Sequence, residues 1–200
     1  MQPLISQEEL AELKKIPGQI RGVSMKNHSR FILKEQGEGS LERIEGEMKK
    51  LGYPFKYKDV KVMGFYPLNF YCILLLAIKR IFNYEDDKFC EIGDFNSRMS
   101  LIIKLFMKNF VSIKKMAEVT PKVWRKYFSI GEIELNDYDE EKKYICLRLT
   151  EFPTTPLLCQ VVRGFFRGVA KMVVGAKGKC REVKCSLKGD PYDEFLFEWE

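Results

Sequence analysis

The sequence predicts an α+β fold: a helical N-terminal half packed on an antiparallel sheet of about four strands, with one helix between the two hairpins. Three observations predict it. Apolar residues recur at helical intervals through most of positions 1–128. Runs at 131–135, 144–150, 179–187 and 194–199 alternate or carry strand-forming residues. A helical run at 156–174, entered through Pro153 and Pro156, separates those strands into two pairs. No repeat, low-complexity tract or composition break divides the chain, so 1–200 reads as a single domain. Its 1–128 part is mainly helical, and its 129–200 part runs strand-strand-helix-strand-strand.

Each element has its own signal. Ser6 and Glu9 have capping-box spacing ahead of Leu10, Leu13 and Ile16, and Pro17-Gly18 ends that helix. A second helix is expected from about Ser24 to Glu35, stopping at Gly37/Gly39. Ser40 is expected to cap a third, with Leu41, Ile44, Met48 and Leu51 on one face and Gly52 at its end. Tyr57 to Phe65 reads as a linker or short strand. Pro67 suits the first position of a helix to about Phe82 that is apolar nearly all round, a central core helix. Asp86/Asp87 open another, with Phe89, Ile92 and Phe95. Ser100 to Val119 continues helically, Leu101, Leu105, Lys108 and Ser112 marking a mixed face, and the pattern changes after Pro121 and Tyr127. Gly131–Leu135 and Tyr144–Thr150 form a hairpin around the polar stretch Asn136–Glu141. Thr155 is placed to cap the 156–174 helix, Gly175 to Gly178 close it, and Gly189-Asp190-Pro191 turns between the last two strands.

Composition narrows the class. With 46% hydrophobic and 13% aromatic residues the chain can bury a sizeable core. The net charge of +6 is spread among interspersed acids and bases, which reads as a solvated surface and argues against nucleic acid as a partner. The longest apolar run, Phe70 to Ile78, is about half the ~20 residues a bilayer span needs. The six cysteines fall largely inside apolar runs, and no charged-then-apolar leader opens the sequence, so reduced thiols and a cytoplasmic location are expected.

The tail from Pro156 to Phe195 carries the chemistry. Gly164 and Gly168, four apart, make a smooth strip on a helix, suited to tight helix packing or to close approach of a ligand. Cys159, Glu182, Cys185 and Asp193 offer two thiolates and two carboxylates, a set that can hold zinc or stand as buried structural thiols. In a regular strand Glu182 and Cys185 point to opposite faces, so joint ligation needs a bulge or a strand end. Arg163, Arg167 and Lys171 recur every four residues as a basic patch, either an ordinary solvated face or a site for an acidic group.

The run Cys159-x4-Gly164-x3-Gly168, then Glu182-x2-Cys185-x3-Gly189-x3-Asp193-x-Phe195, resembles the carboxy-terminal signature of the 4-vinyl-reductase-like domain. That family belongs to the ligand-binding superfamily shared by haem nitric-oxide sensors and Golgi transport-particle subunits. The stretch from Ile20-Arg21-Gly22 through Tyr66-Pro67 to Ile92-Gly93 resembles a bacterial family of about this length in the same superfamily. The resemblance implies a twisted antiparallel sheet, a homodimer and a small-molecule or acyl pocket in the helical part. It also implies a zinc held at positions matched by Cys159, Glu182 and Cys185. Asp193 stands where the family has a further cysteine, and the metal depends on that departure.

The expectation is therefore a ligand-binding-type domain, a sensory module holding a small apolar ligand and acting through a dimer or partner. Phe70, Leu74, Gly164, Phe165 and Gly168 are the expected pocket residues. A transport-subunit-like adaptor is the alternative, and an enzyme on a tetrapyrrole-like substrate the third. No catalytic residue is assigned: no G-x-S-x-G occurs, and every histidine scheme must use His28, expected to be an exposed polar residue. The lack of another histidine and of a Tyr-x-Ser-x-Arg motif argues against haem.

Overall fold

A computed structural model describes residues 4–100, 103–105, 113–153, 155–174 and 178–200, and it has the expected α+β architecture. Helix α1 (Gln7–Lys14) opens on the capping box: Ser6 Oγ accepts from Glu9 N–H, and the Glu9 carboxylate accepts from Ser6 N–H. Helices α2 (Gly22–Gln36) and α3 (Ser40–Lys50) follow. Ser40 is not the cap. Gly39, at φ +81°, takes that position, and the Ser40 hydroxyl donates to the Gly37 carbonyl.

Strands β1 (Gln19–Arg21) and β2 (Phe65–Pro67) pair antiparallel in a sheet of their own. Each is three residues long, too short for alternation to reveal. Pro67 ends β2 with an extended ψ of 134°, so α4 (Leu68–Phe82) starts one residue later than expected. It is the buried central helix that its apolar run predicts. Helix α5 (Asp86–Met99) carries its acids in the first turn. Of the expected 100–119 helix, Leu101, Lys108 and Ser112 lie outside the described residues, and Leu105 is exposed. Helix α6 (Ile113–Tyr127) runs through Pro121, where the pattern change suggested an end, because Val123, Trp124 and Tyr127 continue a buried face beyond it.

The main sheet comprises β3 (Glu132–Asp139), β4 (Tyr144–Thr150), β5 (Lys179–Lys184) and β6 (Asp193–Glu198). It has the antiparallel order β3-β4-β6-β5. β3 extends into the expected turn because a bulge between Leu135 and Asp137 absorbs Asn136 and lets the ladder resume. Helix α7 (Pro156–Val174) is capped by Thr155, whose Oγ1 accepts from Leu158 N–H. It covers the inner face of the sheet, with the Phe166 ring 4.8 Å from Phe195 and 5.8 Å from Phe197.

Helices α5 and α7 cross with backbone against backbone. A Cβ on Gly164 would collide with the Cys90 carbonyl, one on Gly168 with the Ser97 hydroxyl and Asp94, and one on Gly93 with the Val161 carbonyl. The glycine strip is therefore a packing surface. Gly164→Ala gains about 1 kcal/mol of helix propensity but forces backbone apart, and overpacking costs ~1–3 kcal/mol even where side chains can yield. Thermal unfolding should show Gly164→Ala as a net destabilisation of about 2 kcal/mol. Gly46→Ala on α3, where an added Cβ meets nothing, should stabilise by about 0.5–1 kcal/mol. Equal effects at the two sites would contradict the crossing.

Candidate functional site

A chamber of about 30 Å³ lies where α4, α5, α6 and α7 meet, room for one or two water molecules. Its walls are aromatic. Trp124 stacks on Phe128 at 4.4 Å and lies nearly parallel to Phe166 at 6.2 Å, and Tyr127 meets the edge of Phe165 at 5.0 Å. Trp124 Nε1 donates to the Ile130 carbonyl at 3.0 Å, which leaves its ring faces apolar. Two polar groups of the lining, the Tyr71 hydroxyl and the Asn96 side-chain amide, are buried side by side: neither Tyr71 Oη nor Asn96 Oδ1 has a well-formed hydrogen bond, and the Asn96 side chain is the polar neighbour that acts on the Tyr71 hydroxyl. Burial raises the Tyr71 and Tyr127 pKa values, so both hydroxyls stay protonated. Tyr127 is hydrogen-bonded to Ser100.

Of the five expected pocket residues only Phe165 lines this chamber. Gly164 and Gly168 face α5, as their added-Cβ collisions show. Phe70 packs against Tyr53 and Phe55, and Leu74 is sealed in the core. Sequence reasoning missed Tyr71, Asn96, Trp124 and Tyr127. A signal existed for two of them: Tyr71 is a hydroxyl inside an apolar run, and Asn96 continues the buried 89, 92/93, 96 face of α5.

Three of the four expected metal ligands converge. Cys159 Sγ, a Glu182 carboxylate oxygen and Cys185 Sγ all lie within 4.8 Å of one another. The meeting needs the irregularity foreseen for it: β5 has a bulge between Glu182 and Lys184 and ends there. Asp193 is not part of the group. Its Oδ1 accepts from Ser186 N–H at 2.7 Å and Ser186 Oγ at 2.9 Å, which holds the β5–β6 turn. Cys159 donates to Glu182 at 2.9 Å, and burial followed by that carboxylate holds the thiol pKa well above its usual range.

The basic patch is split. Arg163 pairs with Asp87 at 3.1 Å, Arg167 lies 4.0 Å from Asp94, and Lys171 is free of any ion pair among the described residues. His28 is a correction outright: it is fully buried, not exposed. Helix α2 is packed between α3 and α5, so Ser24, Asn27, His28 and Ser29 all go inside. His28 Nε2 shares a 3.0 Å hydrogen bond with the Tyr57 hydroxyl, and Nδ1 has no partner.

Burial lowers the His28 pKa to about 3. The unfolded chain takes up this proton near pH 6.5 and the folded chain does not, so stability is lost as pH falls from about 6.5 toward 3. Urea unfolding between pH 6 and 5, above the carboxylate range, should show a slope approaching ~1.4 kcal/mol per pH unit that His28→Gln abolishes. A slope retained in the variant would place its origin elsewhere. At the thiol cluster, Glu182→Gln removes the negative charge. Peptide mapping after iodoacetamide at alkaline pH should show Cys159 modified faster relative to buried Cys72, and an unchanged ratio would deny Glu182 its hold on the thiol.

No family model matches the chain, and no curated protein matches it. The fold is similar to solved H-NOX structures. A Shewanella oneidensis H-NOX protein in the Fe(II)NO state superposes with a TM-score of 0.68 at 13% identity, over 90% of this chain and 99% of that one. A mutant of an S. oneidensis H-NOX protein in the Fe(II) state gives 0.71 at 14%, over 90% and 96%. An unliganded Fe(II) H-NOX protein from K. algicida gives 0.63 at 10%, over 90% and 97%. At these identities the likeness establishes the fold alone. It corrects two expectations. The likeness is to H-NOX structures and supports neither the 4-vinyl-reductase-like resemblance nor zinc. The argument against haem is overturned, because the structures that share this fold are H-NOX proteins with iron in the Fe(II) and Fe(II)NO states.

Proposed function

We propose that this chain is a small-molecule sensory module that takes a flat, largely apolar ligand into the chamber between α6 and α7 and passes its signal to a partner. The observation that carries the reading is an aromatic chamber bordered by one buried polar pair, Tyr71 and Asn96, whose Oη and Oδ1 lack a well-formed hydrogen bond, at the helical end of an H-NOX-like fold. Haem is the first ligand to consider. Trp124 and Phe166 lie nearly parallel and would flank a planar ring if they moved apart, and an iron could be met by the Tyr71 oxygen once it gave up its proton. His28 does not serve, since it does not line the chamber. Haem would supply a metal centre able to take a small gaseous ligand. The present volume requires α6 and α7 to draw apart on binding.

That small volume favours a second reading, a compact ring-bearing molecule with one hydrogen-bonding atom for Tyr71 and Asn96. Native mass spectrometry of the purified protein and titration with haem test both. A saturable haem absorption band that shifts in Tyr71→Phe supports haem. A bound small mass lost in Tyr71→Phe, without a haem band, supports the compact ligand. No bound mass and no saturable haem binding would sink the sensory reading.

A further inference from the structure

A groove of about 460 Å³ runs between the C-terminal half of α7 and the start of β5. Arg167, Lys171, Lys179 and Arg181 line it, with Glu200 as the acid among the lining residues. Arg181 is neutralised by Glu198 at 2.7 Å. Lys171 and Lys179 are exposed and form no ion pair among the described residues, whereas Arg167 lies 4.0 Å from Asp94. The groove thus keeps the uncompensated positive charges of Lys171 and Lys179 at close quarters.

The second observation is the strand beside it. β5 is an edge of the main sheet: it pairs with β6 on one side and, among the described residues, with no strand on the other. Lys179, Arg181 and Val183 alternate as its exposed residues. Cations on an edge repel an identical edge, so this one is guarded against a second copy of the chain. The same charges attract an acidic strand. We propose that the groove and the β5 edge together dock an extended, acidic segment of a partner protein, its carboxylates meeting Lys171 and Lys179 and its backbone pairing with β5. The groove has no aromatic residue on which a base could stack, and neither nucleic acid nor a lipid headgroup can use a free strand edge. The bulge between Glu182 and Lys184 confines regular pairing to the first part of β5, so the docked segment is short. This gives the partner of the sensory reading a chemistry, but the docking itself does not require the chamber to be filled.

The test uses a fluorescent peptide alternating Glu and Val, with binding read by anisotropy. The intact protein should bind it more tightly at low salt than at high. Lys171→Glu combined with Lys179→Glu should weaken it at least about tenfold, with an unchanged circular dichroism spectrum. A peptide N-methylated at alternate residues should lose most of its affinity. Equal binding of the N-methylated peptide would overturn the strand pairing, and tighter binding of single-stranded DNA or anionic vesicles would overturn the peptide assignment. Tyr71→Phe should leave peptide affinity intact, which keeps a failure of the chamber distinct from a failure of the groove.

Discussion

The backbone-to-backbone crossing of α5 and α7 is the constraint from which the rest of the molecule follows. Gly93 on one helix and Gly164 and Gly168 on the other remove every side chain that would hold the two axes apart. Two helices this close cannot slide without collision, so they behave as one rigid unit, and the sheet that α7 covers is fixed to it through Phe166, Phe195 and Phe197. The space closed at the crossing reopens beside it. Asn96 on α5 and Phe165 on α7 lie next to the glycine contacts, and both line the chamber.

Much of this fold was legible because its longer elements carry strong local signals. The Ser6/Glu9 box, the apolar Phe70–Phe82 helix, the Thr155 cap and the alternation of β4 are each written in a few adjacent residues. What the sequence concealed depends on distant partners. β1 and β2 become strands by finding each other across the chain, and His28 is buried because of what packs over α2. A polar tetrad such as 27–30 looks solvated until its partners are known. Tyr57 and the Asn96 carbonyl, which receive His28 and Asn27, are remote in sequence.

The candidate site shows the same division. Cys159, Glu182 and Cys185 were readable as a group because each residue type is chemically conspicuous, and the structure brings them within reach of one another. The Asp193 carboxylate was conspicuous too, yet a local turn claims it, since Ser186 offers two donors at short range. The chamber was the harder case. Apolar residues fill the whole core, so periodicity identifies a buried face without separating the side chains that fill space from those that border a gap. Phe70 and Leu74 were reasonable on that basis, but they pack solidly, against Tyr53 and Phe55 in one case and within the core in the other.

Helix α7 joins the two surfaces where a ligand and a partner would act. Phe165 and Phe166 turn toward the chamber, while Arg167 and Lys171, further along the same helix, turn toward the basic groove. A ligand entering between α6 and α7 must displace one of them. The glycine contacts with α5 and the ring contacts with β6 anchor α7 on two sides. Helix α6 is held at its far end by the Lys126 carbonyl, which accepts from Arg21, by the bond of Tyr127 to Ser100, and by Trp124 against Phe152. Where α6 is the one displaced, α7 stays fixed. The end of α6 adjoins β1 through the bridge between Ile20 and Phe128, so the displacement would first be felt at the small sheet and the edge of β3 rather than in the basic groove. A signal reaching the groove would pass either along α7, which borders both sites, or through the main sheet from β3 across β4 and β6 to β5.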